Sequence, residues 1–124
     1  MIFDASALLA LLRDEHGGDT ANRYLTGAAI STVNLSEAVA VLIRQGMPPE
    51  VAQEAVEDLE LDVVPFDREQ AYRAARLAPV TAARSLSLGD RACLALAQLR
   101  GQPALTAERE WDQIDAGVRI VCIR

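Results

Sequence analysis

The chain has 124 residues, 51% hydrophobic and 24% charged, which excludes intrinsic disorder and suits one domain of the usual roughly 100–200 residues. Its two cysteines, Cys93 and Cys122, lie far apart and its single histidine is His16, which excludes a disulfide scaffold and a zinc site of the Cys/His kind. All twelve basic residues are arginine, set against eighteen acids for a net charge of −6; the lack of lysine excludes a P-loop and Schiff-base chemistry.

Met1–Phe3 reads as a short buried strand running into Asp4, and Ala5–Leu12 as a helix apolar on nearly every side. That run is far short of the roughly 20 residues of a membrane span, and no basic segment precedes it as in a signal peptide. With two unpaired cysteines, this places the expected location in the cytoplasm. After His16-Gly17-Gly18, a short helix is expected over Thr20–Leu25 and a strand over Ala28–Ser31. From Asn34 the apolar residues Leu35, Ala38, Val39, Leu42 and Ile43 fall on one helical face. A turn at Gly46-Met47-Pro48-Pro49 leads to a helix over Val51–Leu59, then a strand over Leu61–Phe66. Asp67–Ala78 reads as a helix stopped by Pro79, and Val80–Leu86 as a loop carrying Arg84. Leu88–Arg100 is a strong helix closed by Gly101, Pro103–Thr106 a strand, Ala107–Ile114 a short helix and Val118–Ile123 the last strand. Strands separated by helices imply parallel pairing with right-handed crossovers. The expected fold is an α/β three-layer sandwich with a central five-stranded parallel sheet, in one domain over residues 1–124.

Ligands of such sheets bind at the carboxyl ends of the strands. Asp4 follows the first strand, and Glu37 is expected in the first turn of the helix after the second. Asp90 opens the helix before the fourth strand, and Glu108 follows that strand. Clustered carboxylates raise one another's pKa unless a cation neutralises them, and hard divalent cations take such oxygen ligands. Taken singly, each acid is better explained as a helix-start residue favoured by the macrodipole, and the case for a ligand set rests on the four together. Asp4 suits a cap, and Ser87-Leu88-Gly89-Asp90 suits a capping box. Asn34 and Glu37 have the same spacing. Ser6 and Thr106 flank two of the acids and are candidates for the substrate side, with capping as the alternative. Residues 67–100 hold six arginines against three acids, which makes Arg84 and Arg91 candidate phosphate contacts in an otherwise acidic chain. Cys93, Cys122 and Trp111 are expected in the core, and His16 on the surface.

Four motifs carry a resemblance. Ile2-Phe3-Asp4-Ala5-Ser6-Ala7-Leu8 resembles the opening of a PIN-domain ribonuclease. Asn34-Leu35-Ser36-Glu37 resembles that family's second acidic motif, and Leu88 through Ala97 its third. Leu105-Thr106-Ala107-Glu108-Arg109-Glu110-Trp111 resembles its fourth. The similarity spans essentially the whole chain, and its style is that of VapC-type toxins of toxin–antitoxin pairs. The resemblance implies a Mg²⁺- or Mn²⁺-dependent endoribonuclease acting on RNA, transfer RNA being one candidate. It also implies a cognate antitoxin, one of whose helices would lie in a groove between the N-terminal helices, and a homodimer. It assigns Asp4, Glu37 and Asp90 as metal-binding acids. The fourth position departs, with Glu108 where the family usually has aspartate, and Asp112 one helical turn on is a further candidate ligand. In-line attack by water leaving 5′-phosphate and 3′-hydroxyl ends is the family's precedent. Two alternatives stand beside this reading: a catalytically inactive interaction module of the same fold, and another metal-dependent phosphate hydrolase.

Overall fold

The computed structural model describes residues 1–82 and 86–124. Five parallel strands form one sheet: β1 (Ile2–Phe3), β2 (Ala29–Ser31), β3 (Asp62–Val64), β4 (Ala104–Thr106) and β5 (Ile120–Cys122). Their order is β3-β2-β1-β4-β5. Ile2 pairs with Ala29 and Ala104, and Phe3 with Ile30 and Leu105, so the shortest strand is the centre of the sheet. Successive strand residues face opposite sides. Phe3, Ile30 and Leu105 pack on one face against α1 (Ala5–Leu12), α2 (Gly18–Arg23), α3 (Thr32–Arg44) and α4 (Pro49–Glu57). Ile2, Ala29 and Ala104 face the other side, under α7 (Leu88–Arg100), Leu77 and Trp111. The expected three-layer parallel architecture is therefore present. The chain winds outward from β1 through β2 to β3 and then returns to β4 on the other side. The order reverses between β1 and β4, and the carboxyl ends of the strands at that point are where sheets of this kind bind ligands.

Several boundaries differ from the sequence reading, each for a local reason. α3 starts at Thr32, two residues before Asn34, because Ser31 Oγ accepts the Val33 amide (3.2 Å) and caps the helix directly off the strand. α2 starts at Gly18 behind Gly17, whose φ of +93° and contact with Ile123 both require glycine: a Cβ there would lie 2.5 Å from the Ile123 carbonyl oxygen. α5 (Arg68–Arg76) ends before Pro79, which instead sits in the first turn of a four-residue helix α6 (Ala78–Thr81). The segment expected as a short α-helix over Ala107–Ile114 is a 3₁₀ turn, Arg109–Gln113. Among the described residues, no helix is long and apolar enough to cross a membrane.

Candidate active site

Asp4 leaves β1 at the reversal point and is 2% exposed. It caps α1, its Oδ1 accepting the Ala7 amide at 2.8 Å. Ser6 Oγ donates to the same carboxylate (2.7 Å to Oδ1, 2.9 Å to Oδ2), and Thr106 Oγ1 donates to Oδ2 at 2.5 Å. Each hydroxyl is in turn an acceptor: Ser6 Oγ from the Ala107 amide (2.8 Å) and Thr106 Oγ1 from the Glu108 amide (3.0 Å). Two hydroxyls thus clamp Asp4 and tie β1 to the chain leaving β4. Burial nonetheless wins over these bonds. Desolvation, with a smaller push from Asp90, raises the Asp4 carboxyl from 3.8 to about 7 against the lowering effect of Thr106, Ala7 and Ser6.

Asp90 is the third residue of α7 and completes a capping box. Its amide donates to Ser87 Oγ (3.2 Å) while its Oδ2 accepts the Ser87 amide (2.9 Å). Glu37 lies in the second turn of α3, not the first, because Ser31 rather than Asn34 caps that helix. Burial against neighbouring chain and the Asp90 charge both raise its pKa, and the Asn34 amide lowers it. Glu108 is exposed and precedes the 3₁₀ turn. Partial burial, Glu110 and Asp90 raise its pKa, and Arg124 lowers it. Asp90 therefore acts electrostatically on Asp4, Glu37 and Glu108 alike, so the four acids share one edge of the sheet. Beneath them the buried Cys93 thiol is pushed well above its usual range by burial and then by Asp4, Asp90 and Glu37, which keeps it a protonated core residue.

The remaining predicted residues separate. Glu110 rather than Asp112 is the acid beside Glu108. A 3₁₀ turn has three residues per turn, so a residue four positions on points about a third of a turn away, unlike in an α-helix. Ser6 and Thr106 spend their hydroxyl protons on Asp4, the role of holding an acid rather than of facing a substrate. Arg91 reaches the Ala74 carbonyl of α5 (3.3 Å) and so braces α7. Arg84 lies outside the described residues. Trp111 is buried and His16 exposed, as expected, while Cys122 is only partly buried. The sequence reading missed Gly89, Glu110 and Arg124, and took Asn34 for a cap. Gly89 carried a signal, since a glycine inside a helix costs about 1 kcal/mol relative to alanine and asks for a reason.

Among the described residues, no three His, Cys, Asp or Glu side chains converge closely enough to enclose a metal ion. That is compatible with Mg²⁺, which keeps several waters and binds through one or two carboxylates rather than an all-protein cage. The donor set is oxygen alone, and three carboxyls carry raised pKa values that a cation would relieve, so these residues fit a hydrated hard cation. The clamp on Asp4 is directly testable. Thr106→Val keeps the shape and removes both the hydrogen bond to the Asp4 carboxylate, worth about 1.5–3 kcal/mol when Asp4 is charged, and the acceptor of the Glu108 amide, whose loss does not depend on pH. Urea denaturation should show that cost near pH 8, where Asp4 is ionised, and a smaller cost near pH 5, where it is protonated.

The PIN domain family model matches residues 1–117. The sequence matches no curated protein. Solved structures share the fold. A toxin–antitoxin complex from Klebsiella pneumoniae aligns with a TM-score of 0.76 and 20% identity, over 99% of this chain and 97% of that one. A DNA-bound VapBC from Salmonella typhimurium aligns with a TM-score of 0.77 and 22% identity, again over 99% and 97%. VapC20 of Mycobacterium tuberculosis, a toxin that cleaves the sarcin–ricin loop, aligns with a TM-score of 0.73 and 21% identity, over 96% of this chain and 99% of that one.

Proposed function

The chain belongs to the PIN domain family, and from that premise we propose that it is a Mg²⁺- or Mn²⁺-dependent endoribonuclease acting as the toxin of a toxin–antitoxin pair. The observation that carries the reading is the position of Asp90, which acts on Asp4, Glu37 and Glu108 at the edge where the strand order reverses. Carboxylates brought together against their own repulsion are arranged for a cation. Asp4 and Asp90 would hold the principal ion together with Glu37, directly or through one of its waters, and Glu108 would support a second. A bound divalent cation supplies charge neutralisation at the scissile phosphate and a water of lowered pKa.

The protein's own contribution is orientation and proton transfer. Ser6 and Thr106 fix the Asp4 oxygens, and the capping box fixes those of Asp90. Glu37 is an exposed residue whose carboxyl lies against Gly89 and is held above the ordinary range by partial burial and Asp90, which suits it to take a proton from the attacking water. A general acid and base pair of histidines, the usual metal-free route through the ribose 2′-hydroxyl, is not offered by a chain with His16 alone. An apolar groove of about 640 Å³ between α3 and α4, lined among others by Leu35, Val39, Ile43, Val56 and Val63, supports an amphipathic antitoxin helix as its occupant. Ser36 also lines it, next in sequence to Glu37, so a helix seated there would lie close to the site. The Klebsiella and Salmonella relatives, solved as such complexes, support the same partner class.

The test is incubation of the purified chain with total RNA and with transfer RNA, in Mg²⁺ or Mn²⁺ and in chelator. Discrete cuts that require the cation are the expected result. Cleavage that survives chelation contradicts the metal-dependent reading.

A further inference from the structure

Glu37 is the most exposed of the site acids on regular secondary structure, and a long flexible side chain does not hold its position unaided. Two neighbours meet it. Asn34, one helical turn earlier, is 1% exposed. Its Nδ2 donates to the Gly89 carbonyl of α7 at 2.9 Å and to Glu37 Oε1 at 3.3 Å, while its Oδ1 is buried with no partner. Burying an amide with an orphaned oxygen is unfavourable, so its donors have to be needed. Gly89 is the second residue of α7, in ordinary helical backbone, where alanine would be the better helix former. Its lack of a side chain is explained by what a Cβ would meet. The three nearest atoms are Oε1, Cδ and Oε2 of Glu37, all closer than atoms approach, the farthest at 2.5 Å. All three belong to the flexible end of the Glu37 side chain and none to the α3 backbone.

We propose that Asn34 and Gly89 are positioning residues for Glu37: Gly89 leaves open the space the carboxylate occupies, and Asn34 holds the carboxylate there by bridging it to the Gly89 carbonyl. The inference rests on the reading of Glu37 as part of the nuclease site. A methyl group at position 89 displaces the flexible carboxylate rather than the helix. The expected signature is loss of site function without loss of stability.

The test uses the full chain and Mn²⁺ alone as the probe, titrated by electron paramagnetic resonance, with thermal denaturation and RNA cleavage alongside. The variants are Gly89→Ala, Glu37→Ala and their double, with Asn34→Ala as a second route to the same displacement. Gly89→Ala is expected to weaken Mn²⁺ binding by about tenfold, in the range seen for outer partners of metal ligands. It should melt no lower than the wild type, and in the Glu37→Ala background it should cost nothing further, because both changes remove the same interaction. Asn34→Ala should likewise add nothing to Glu37→Ala in Mn²⁺ affinity, whatever it does to melting. Wild-type affinity in Gly89→Ala, or losses that add to that of Glu37→Ala, would overturn the inference. If Glu37→Ala itself leaves Mn²⁺ affinity and cleavage unchanged, or the wild type binds no Mn²⁺, the reading of the site fails first and this inference with it.

Discussion

Asp90→Asn is expected to lower RNA cleavage by more than about 100-fold while the protein stays folded, since even outer partners of metal ligands are worth about 10–100-fold. The substitution keeps the shape, and asparagine Oδ1 still accepts the Ser87 amide that completes the capping box. The lost helix-dipole interaction is worth about 0.3–1 kcal/mol. It is offset because the charge that pushes up Asp4, Glu37 and Glu108 is gone. Melting temperature should therefore be equal or higher, and the Asp4 carboxyl should titrate below its wild-type value. Single-turnover cleavage, thermal denaturation and carboxyl NMR on one preparation check all three. A folded variant that cleaves at the wild-type rate would remove Asp90 from the mechanism.

The second large effect is on stability. The Asp4 carboxyl ionises near 3.8 in the unfolded chain and at about 7 in the folded one, so the folded state binds the proton more tightly. Its contribution is at its most favourable below the unfolded value and is lost as pH rises through the folded value. The loss from about pH 4 to above pH 7 is on the order of 4 kcal/mol, a large share of an ordinary domain's stability. The raised carboxyls of Glu37 and Glu108 work in the same direction. Urea denaturation in chelator should show stability falling over that interval, and Asp4→Asn should flatten the fall. A cation bound to the ionised carboxylates should restore stability above pH 7 by mass action, about 2.7 kcal/mol at a hundred times its Kd. A wild-type curve that is flat or rises between pH 5 and 8 in chelator would mean that Asp4 is not held in this environment.

What the chain discloses before its structure is known depends on how local the cause is. Asp4 is readable at a strand end because Ile2 and Phe3 must be buried on opposite faces and the helix behind them needs a cap. The capping box at Ser87 and Asp90 is readable for the same reason, being complete within four residues. Glu37 was placed one turn too early because serine and asparagine cap about equally well; Ser31, in register as the last residue of β2, takes the cap. The spacing of Asp112 from Glu108 reads as one α-helical turn but is not one, because a 3₁₀ turn and a short α-helix leave the same pattern in five residues. Strand order was out of reach, since strands of two or three residues carry no period and their neighbours are chosen by packing across the whole sheet. Asn34 and Gly89 were hidden because their meeting joins helices 55 positions apart.

The most direct measurement of the central claim is the chemistry of the RNA ends. Fragments made by the purified chain in Mg²⁺ or Mn²⁺ should carry 5′-phosphate and 3′-hydroxyl ends, and none should form in chelator or with Asp90→Asn. Ends bearing a 2′,3′-cyclic phosphate, or the same fragments in chelator, would contradict hydrolysis at the Asp4 and Asp90 edge.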